Sequence, residues 1–161
     1  PPFHQWGERW FLLCAGTFSR FNVMTVAWGG FGVFWSRPVV WVAVRPSRYT
    51  YEFMENHPGF TLSAFPESFQ PKLSLCGSKS GREIDKVKAY GLSPIPSAHV
   101  EAPGFEEAEL IVECRKIHFE NLNPDHFLDK RIEDNYNGSN YHRVYTGEIL
   151  SISGISAYQR P

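Results

Sequence analysis

Residues 21–35, FNVMTVAWGGFGVFW, decide the class of fold, because the glycines admit two incompatible readings. In a dinucleotide-binding loop, G-x-G-x-x-G follows a strand and opens a helix, so that a pyrophosphate meets the helix N-terminus. Here Gly29, Gly30 and Gly32 are spaced GGxG and lead into VFWSRPVV, which is β-branched, aromatic and interrupted by Pro38. Such a run makes strand, not helix. A dinucleotide fold is therefore disfavoured. The glycines are expected to make a bulge or to let the backbone approach a flat ligand, with Trp28 and Trp35 able to line a planar ring. A tryptophan-rich core behind a flexible turn explains the same residues.

The flanking sequence extends the strand reading. WFLLCAG (10–16), NVMTVAW (22–28) and VVWVAV (39–44) are each rich in β-branched or aromatic residues and closed by Gly, Ser, Arg or Pro. NVMTVAW alternates in part, Val23, Thr25 and Ala27 against Met24, Val26 and Trp28, as a barrel wall with one packed side would. VVWVAV does not alternate and is expected to be covered on both faces. The connections in the first 45 residues are too short for repeated βαβ crossovers, which predicts antiparallel pairing.

Beyond residue 50 helices enter. Thr50 is placed to N-cap a helix over YEFMENH, ended by Pro58 and Gly59. GFTLSAF returns to strand, and a helix around 66–77 carries Pro71. In SGREIDKVKAYG, Ser80 and Glu83 stand as a capping box and Gly91 as a stop. Residues 108–119 read as a long strand, NPDHFLDKRIED as a helix with Pro124 at its first position, and YHRVYTGEILSIS as the closing strand. Strands outnumber helices: a mainly β chain, an antiparallel barrel with inserted helices, forming a single domain over 1–161.

Composition narrows the function. With 161 residues, a net charge of −1 and six histidines, the chain has no broad electrostatic footprint for nucleic acid or an anionic membrane, so any anion site is local. Three widely spaced cysteines outside any CxxC pattern read as reduced, which points to the cytoplasm, and neither a membrane span nor a signal peptide is expected. Metal-ligand spacing, a GxSxG elbow and a Ser/His/Asp set are not signalled, so no catalytic side chain is assigned. His118 and His142 read as structural.

Two joints carry cations at helix starts, where unpaired N–H groups and the helix dipole favour an anion. In VRPSRYT, Arg45, Ser47, Arg48 and Thr50 form a candidate phosphate pocket, with a solvated turn as an even rival. In SKSGREIDK, Gly81 permits close backbone approach beside Ser80, Lys79, Arg82 and Lys86. A capped helix with a solvated charged face explains that segment equally.

The pieces FNVMTVAWGGFGVFW, VRPSRYTYEF, FTLSAF, GSKSGREIDK, EEAELIVECRK and YHRVYTGEI, taken in order, resemble the flavin reductase family, FMN-binding split-barrel proteins that include flavoredoxin-like sequences. The resemblance runs from about residue 10 to 150. It implies a Greek-key split barrel, a homodimer holding FMN at its interface. Asn22, Met24 and Thr25 would border the isoalloxazine, with Trp28, the ring-lining candidate noted above, counted among the cofactor-binding residues. Arg45, Ser47, Arg48, Tyr49 and Thr50 would surround the phosphate, with Ser80, Gly81 and Lys86 as a second flavin-contacting segment. It further implies hydride transfer from NADH or NADPH to the flavin and electron delivery to oxygen, a partner oxygenase or another acceptor protein. A flavoredoxin-like electron carrier without nicotinamide turnover is the alternative, and a flavin-free module for single-stranded nucleic acid is a weaker third, opposed by the charge. No role carries over to residues 129–140.

Overall fold

The computed structural model describes residues 3–156. Nine strands and three α-helices follow the N-terminal turn: β1 (Phe11–Thr17), β2 (Arg20–Val26), β3 (Gly29–Phe34), β4 (Arg37–Val44), α1 (Tyr49–Asn56), β5 (Gly59–Ala64), α2 (Gln70–Ser78), α3 (Lys86–Tyr90), β6 (Pro94–Ile95), β7 (Gly104–Phe105), β8 (Leu110–Asn121) and β9 (Arg143–Gly154). Seven strands form one sheet in the order β2-β1-β5-β8-β9-β4-β3, antiparallel at every pairing, while β6 and β7 pair separately. The sheet curls so that β2 also approaches β4.

Two cores explain why β1 reads as an unbroken apolar run. Phe11, Leu13 and Ala15 point into the barrel with Met24, Val40, Val42, Phe60, Leu62 and Val112. Leu12 and Cys14 point outward and are covered by Leu73 and Cys76 of α2, with Val23 of β2 beside them. Period 2 persists, but both faces are apolar because both are buried. β2 is therefore packed on two sides, not one. Around β4 the expectation of two covered faces holds for Val39 but not throughout: Trp41 and Ala43, on its outer side, are half-buried.

The β3–β4 hairpin shows what the glycines are for. The pairing from Gly29↔Val42 to Phe34↔Arg37 is regular, so no bulge forms there. A Cβ on Gly32 would lie 3.0 Å from the Trp41 indole, and one on Gly29 would lie 2.2 Å from the Trp41 carbonyl oxygen and 2.6 Å from Trp6. The protein's own indoles, not a ligand, occupy the space. The turn at Trp35 (φ 50°) and Ser36 (φ 55°) has both central residues left-handed, the twist that two-residue hairpins prefer. It lacks the usual Gly or Asn, which is why the sequence reads as one strand from VFW into PVV.

Three further elements differ from the sequence expectation. Arg48, not Thr50, is the N-cap of α1, without a side-chain bond. The Ser80–Glu83 pair does not open a helix: α3 starts at Lys86, where the Asp85 carboxylate accepts from Lys88 N, and the capping-box residues form a turn. The helix expected after Asn123 is two 3₁₀ turns, Pro124–His126 and Lys130–Asn135, each capped by an Asx side chain. Pro71 sits in the first turn of α2, where its missing N–H costs nothing.

Candidate functional site

A cleft of about 620 Å³ opens between β2, the start of α1 and the turn 81–87. Its floor is Asn22, on the face of β2 that also carries Met24 and Val26, where α1 packs over the strand. Asn22 Nδ2 donates to Thr50 Oγ1 at 2.8 Å, and both residues are buried. The Thr50 hydroxyl thus ties α1 to β2 instead of capping the helix.

The turn 79–85 rests directly on Asn22. A Cβ on Gly81 would fall 2.0 Å from Asn22 Oδ1, so only glycine fits without displacing the amide. Ser80 holds the turn: its hydroxyl accepts from Arg82 N at 3.2 Å, and its carbonyl accepts from Glu83 N and Ile84 N. Arg82 then reaches across to α1. It pairs with Glu52, donates to the Ser47 carbonyl at 3.4 Å and lies 4.7 Å over the Tyr49 ring.

Among the described residues two neighbouring cations lack a counter-ion: Lys86, in the cleft wall, and Arg48, whose charge acts on it. Lys86, 4% exposed, donates Nζ to the carbonyls of Val23 at 3.0 Å and Cys76 at 2.7 Å. Arg48 Nη2 is buried with no hydrogen-bond partner. Burial lowers the Arg48 pKa, and burial together with the nearby Arg48 charge pushes Lys86 down to about 8. Among the described residues neither has a carboxylate in ion-pair contact. Unpaired buried charge is costly. An orphaned guanidinium donor beside a buried ammonium is the arrangement that a phosphate would complete.

Not all of the sequence candidates converge there. Asn22, Tyr49, Gly81 and Lys86 line the cleft. Thr50 stands behind Asn22 through its hydrogen bond, Ser80 braces the Gly81 turn, and Arg48 lies close enough to Lys86 to lower its pKa. Met24 points into the barrel core, 5% exposed, leaving only its backbone near the strand surface, and Thr25 Oγ1 is used by the Leu73 carbonyl of α2. Arg45 turns away: Nη2 donates to the Asn135 carbonyl at 2.7 Å and the guanidinium lies 4.9 Å over the Tyr136 ring. Ser47 is clasped by Asn140, whose Oδ1 accepts from Ser47 N at 3.2 Å while Nδ2 donates to Ser47 Oγ at 2.8 Å.

Residues 129–140, to which the sequence assigned no functional role, therefore fix the 45–47 turn. The same segment brings Tyr136 to His142, with hydroxyl to Nδ1 at 2.8 Å, and the His142 ring lies 4.9 Å from Trp28. Burial and the Arg45 charge push His142 down to about 4, so it is the neutral imidazole at neutral pH. Trp28 and Arg45 thus belong to an aromatic cluster separate from the Lys86 cations. Sequence reasoning missed Tyr136 and Asn140, while His142 is the structural histidine it was read as, bonded to Tyr136 and buried. The available signal was NYNGSN, whose Asn137, Gly138 and Asn140 all take left-handed φ as turn residues do.

An antiparallel sheet of seven strands with a cleft beside a helix start is the split-barrel architecture that the sequence resemblance implied. The model of the flavin reductase-like domain matches residues 10–160, and the chain belongs to that family. An uncharacterised protein of Pyrococcus abyssi is 28% identical over 109 residues, covering 66% of this chain and 60% of that relative. This chain thus spans less than two thirds of that relative's length. Among solved structures, flavoredoxin of Desulfovibrio vulgaris (Miyazaki F) is 25% identical with a TM-score of 0.72, over 94% of this chain and 72% of that one. An FMN-binding protein of Thermus thermophilus shares the fold at 19% identity and a TM-score of 0.72, over 94% and 73% of the two chains. Among the described residues no helix is long and apolar enough to cross a membrane.

Proposed function

We propose that the chain is an FMN-binding flavoprotein that accepts hydride from NADH or NADPH and passes electrons onward. The observation that carries this reading is a pair of desolvated cations without a carboxylate partner: Lys86, in the wall of a cleft large enough for a flavin nucleotide, and Arg48, whose Nη2 is buried and unpartnered and whose charge acts on Lys86. Arg48 and the first-turn N–H groups of α1 would hold the phosphate. Asn22, Gly81 and Lys86 would set the depth at which the rest of the group lies. When bound, FMN supplies the hydride and electron chemistry, so the protein needs no general acid or base of its own.

The chain's own residues bind and orient. The Asn22–Thr50 bond holds the floor rigid, and Gly81 keeps it open to backbone approach. Arg45, fixed by Asn135 and Tyr136, contributes positive potential from behind the turn and no direct contact. Trp28, about half exposed beside His142, offers a ring face at the edge of the sheet.

A homodimer belongs to the same proposal. The edge strand β3 and its turn expose Phe31, Val33, Phe34 and Trp35, an apolar edge that soluble proteins cover. An oxygenase or another electron-acceptor protein is the expected recipient of the electrons. The likeness to a flavoredoxin favours a second reading, an electron carrier with negligible nicotinamide turnover. The FMN-loaded protein mixed with NADH or NADPH decides between them: steady oxidation of either supports the reductase, and a bound flavin without turnover supports the carrier.

A further inference from the structure

The walls of the cleft are joined differently at its floor and at its rim. At the floor the ties are buried: Asn22 to Thr50, and Lys86 to the carbonyls of Val23 and Cys76. At the rim they run through one exposed side chain. Arg82 stands in the turn 79–85, lines the cleft and reaches α1 and the residues just before it, where it pairs with Glu52, donates to the Ser47 carbonyl and covers the Tyr49 ring. The Arg82 and Glu52 side chains are 46% and 54% exposed.

Among the described residues, the Arg82 bonds to Glu52 and Ser47 are the hydrogen bonds that tie residues 79–85 to residues 45–56. The other bonds of the turn are local: Lys79 N to the Leu75 carbonyl, Glu83 N and Ile84 N to the Ser80 carbonyl, Arg82 N to the Ser80 hydroxyl, and Lys88 N and Ala89 N to Asp85. Gly81 meets Asn22 by packing alone. The turn links the end of α2 to the start of α3, so it can lift without breaking a strand pairing. Exposed ion pairs are weak and screened by salt, so the rim opens far more readily than the floor.

We propose that residues 79–85 are a lid on the cleft and that the Arg82–Glu52 pair is its latch: ligand enters and leaves while Arg82 is released from Glu52, and the closed latch slows both steps. The use of FMN as its probe rests on the function proposed above.

A latch changes rates and leaves affinity alone, which separates it from a binding contact. Stopped-flow fluorescence of FMN with the full chain and with Glu52→Gln is expected to give association and dissociation rate constants that both rise about fivefold in the variant, with Kd within about twofold. Fivefold corresponds to ~1 kcal/mol, the upper value for an exposed pair. Added salt should bring wild-type dissociation towards that of the variant. Association that rises alone is the effect of removing a negative charge near an anion site and overturns the latch. So does a change in dissociation alone, or rates within about twofold of wild type.

The flavin-free protein gives an independent reading. Trypsin must take up the Arg82 side chain to cut between Arg82 and Glu83, so limited digestion reports the open latch. Cleavage there should be about fivefold faster in Glu52→Gln, with cleavage after Lys88 unchanged, and equal rates at Arg82 overturn the latch. Folded wild-type protein that binds no FMN sinks the inner-cleft reading instead, and the digestion then decides the lid by itself.

Discussion

Replacing Arg48 with Met should separate binding from folding. The side chain keeps its aliphatic bulk but loses a guanidinium whose Nη2 is buried and unpartnered. In flavin-free protein that charge is a burden: burial disfavours it, and it sits close enough to Lys86 to depress the lysine's pKa. Arg48→Met should leave the melting temperature of the flavin-free protein unchanged or raise it. FMN affinity should fall, because a charge-assisted hydrogen bond to phosphate is worth about 1.5–3 kcal/mol, or roughly 10- to 150-fold in Kd. Titration of FMN fluorescence gives the Kd, and thermal melts with and without FMN give the stability. Loss of stability comparable to the loss of affinity, or a Kd within about twofold of wild type, would refute the assignment of Arg48 to the phosphate.

The remaining predictions concern Lys86, Gly81 and Thr50. Lys86 titrates at about 8 in the fold against 10.5 in the unfolded chain, so between those values the unfolded state holds a proton that the native state has released. Stability of the flavin-free protein should therefore rise from about pH 8 to 10.5, by on the order of 3 kcal/mol in full, with the penalty complete below pH 8. Denaturant melts should show that slope, and Lys86→Met should flatten it. FMN affinity should fall over the same interval as the ammonium is lost. Gly81→Ala places a methyl 2.0 Å from Asn22 Oδ1 and should weaken FMN binding along with about 1–3 kcal/mol of stability, read by the same titration and melts. Thr50→Val strands the Asn22 amide and should cost about 1–3 kcal/mol in urea unfolding, whereas Thr50→Ser, which keeps the hydroxyl, should cost less than that.

The barrel was legible where local chemistry and tertiary context agree. β1, β5, β8 and β9 emerge within a few residues of their sequence expectation, and the GGxG run was rightly kept from a dinucleotide loop. What misled were signals whose groups have better partners in three dimensions. The Ser80–Glu83 spacing matched a capping box, but Gly81 lies against Asn22 and the helix waits until Asp85 can cap it. Thr50 looked like a cap and is the acceptor for an amide 28 residues away.

The two arginines of VRPSR could not be told apart in sequence. They separate because one bonds to Asn135 and lies over Tyr136, some 90 residues downstream, while the other is buried without a partner near Lys86. The role of residues 129–140 was equally invisible, since clasping the 45–47 turn through Asn140 and the Asn135 carbonyl leaves no pattern in local spacing.

The central claim is that Arg48, Lys86, Asn22 and Gly81 form the binding site for FMN. Its most direct measurement is equilibrium titration of the purified protein with FMN, followed by flavin absorbance and fluorescence, run beside riboflavin, which lacks the phosphate. Saturable FMN binding, much weaker binding of riboflavin, and loss of that discrimination in Arg48→Met are the expected results. Equal affinity for FMN and riboflavin, or no binding of either by folded protein, would contradict the account.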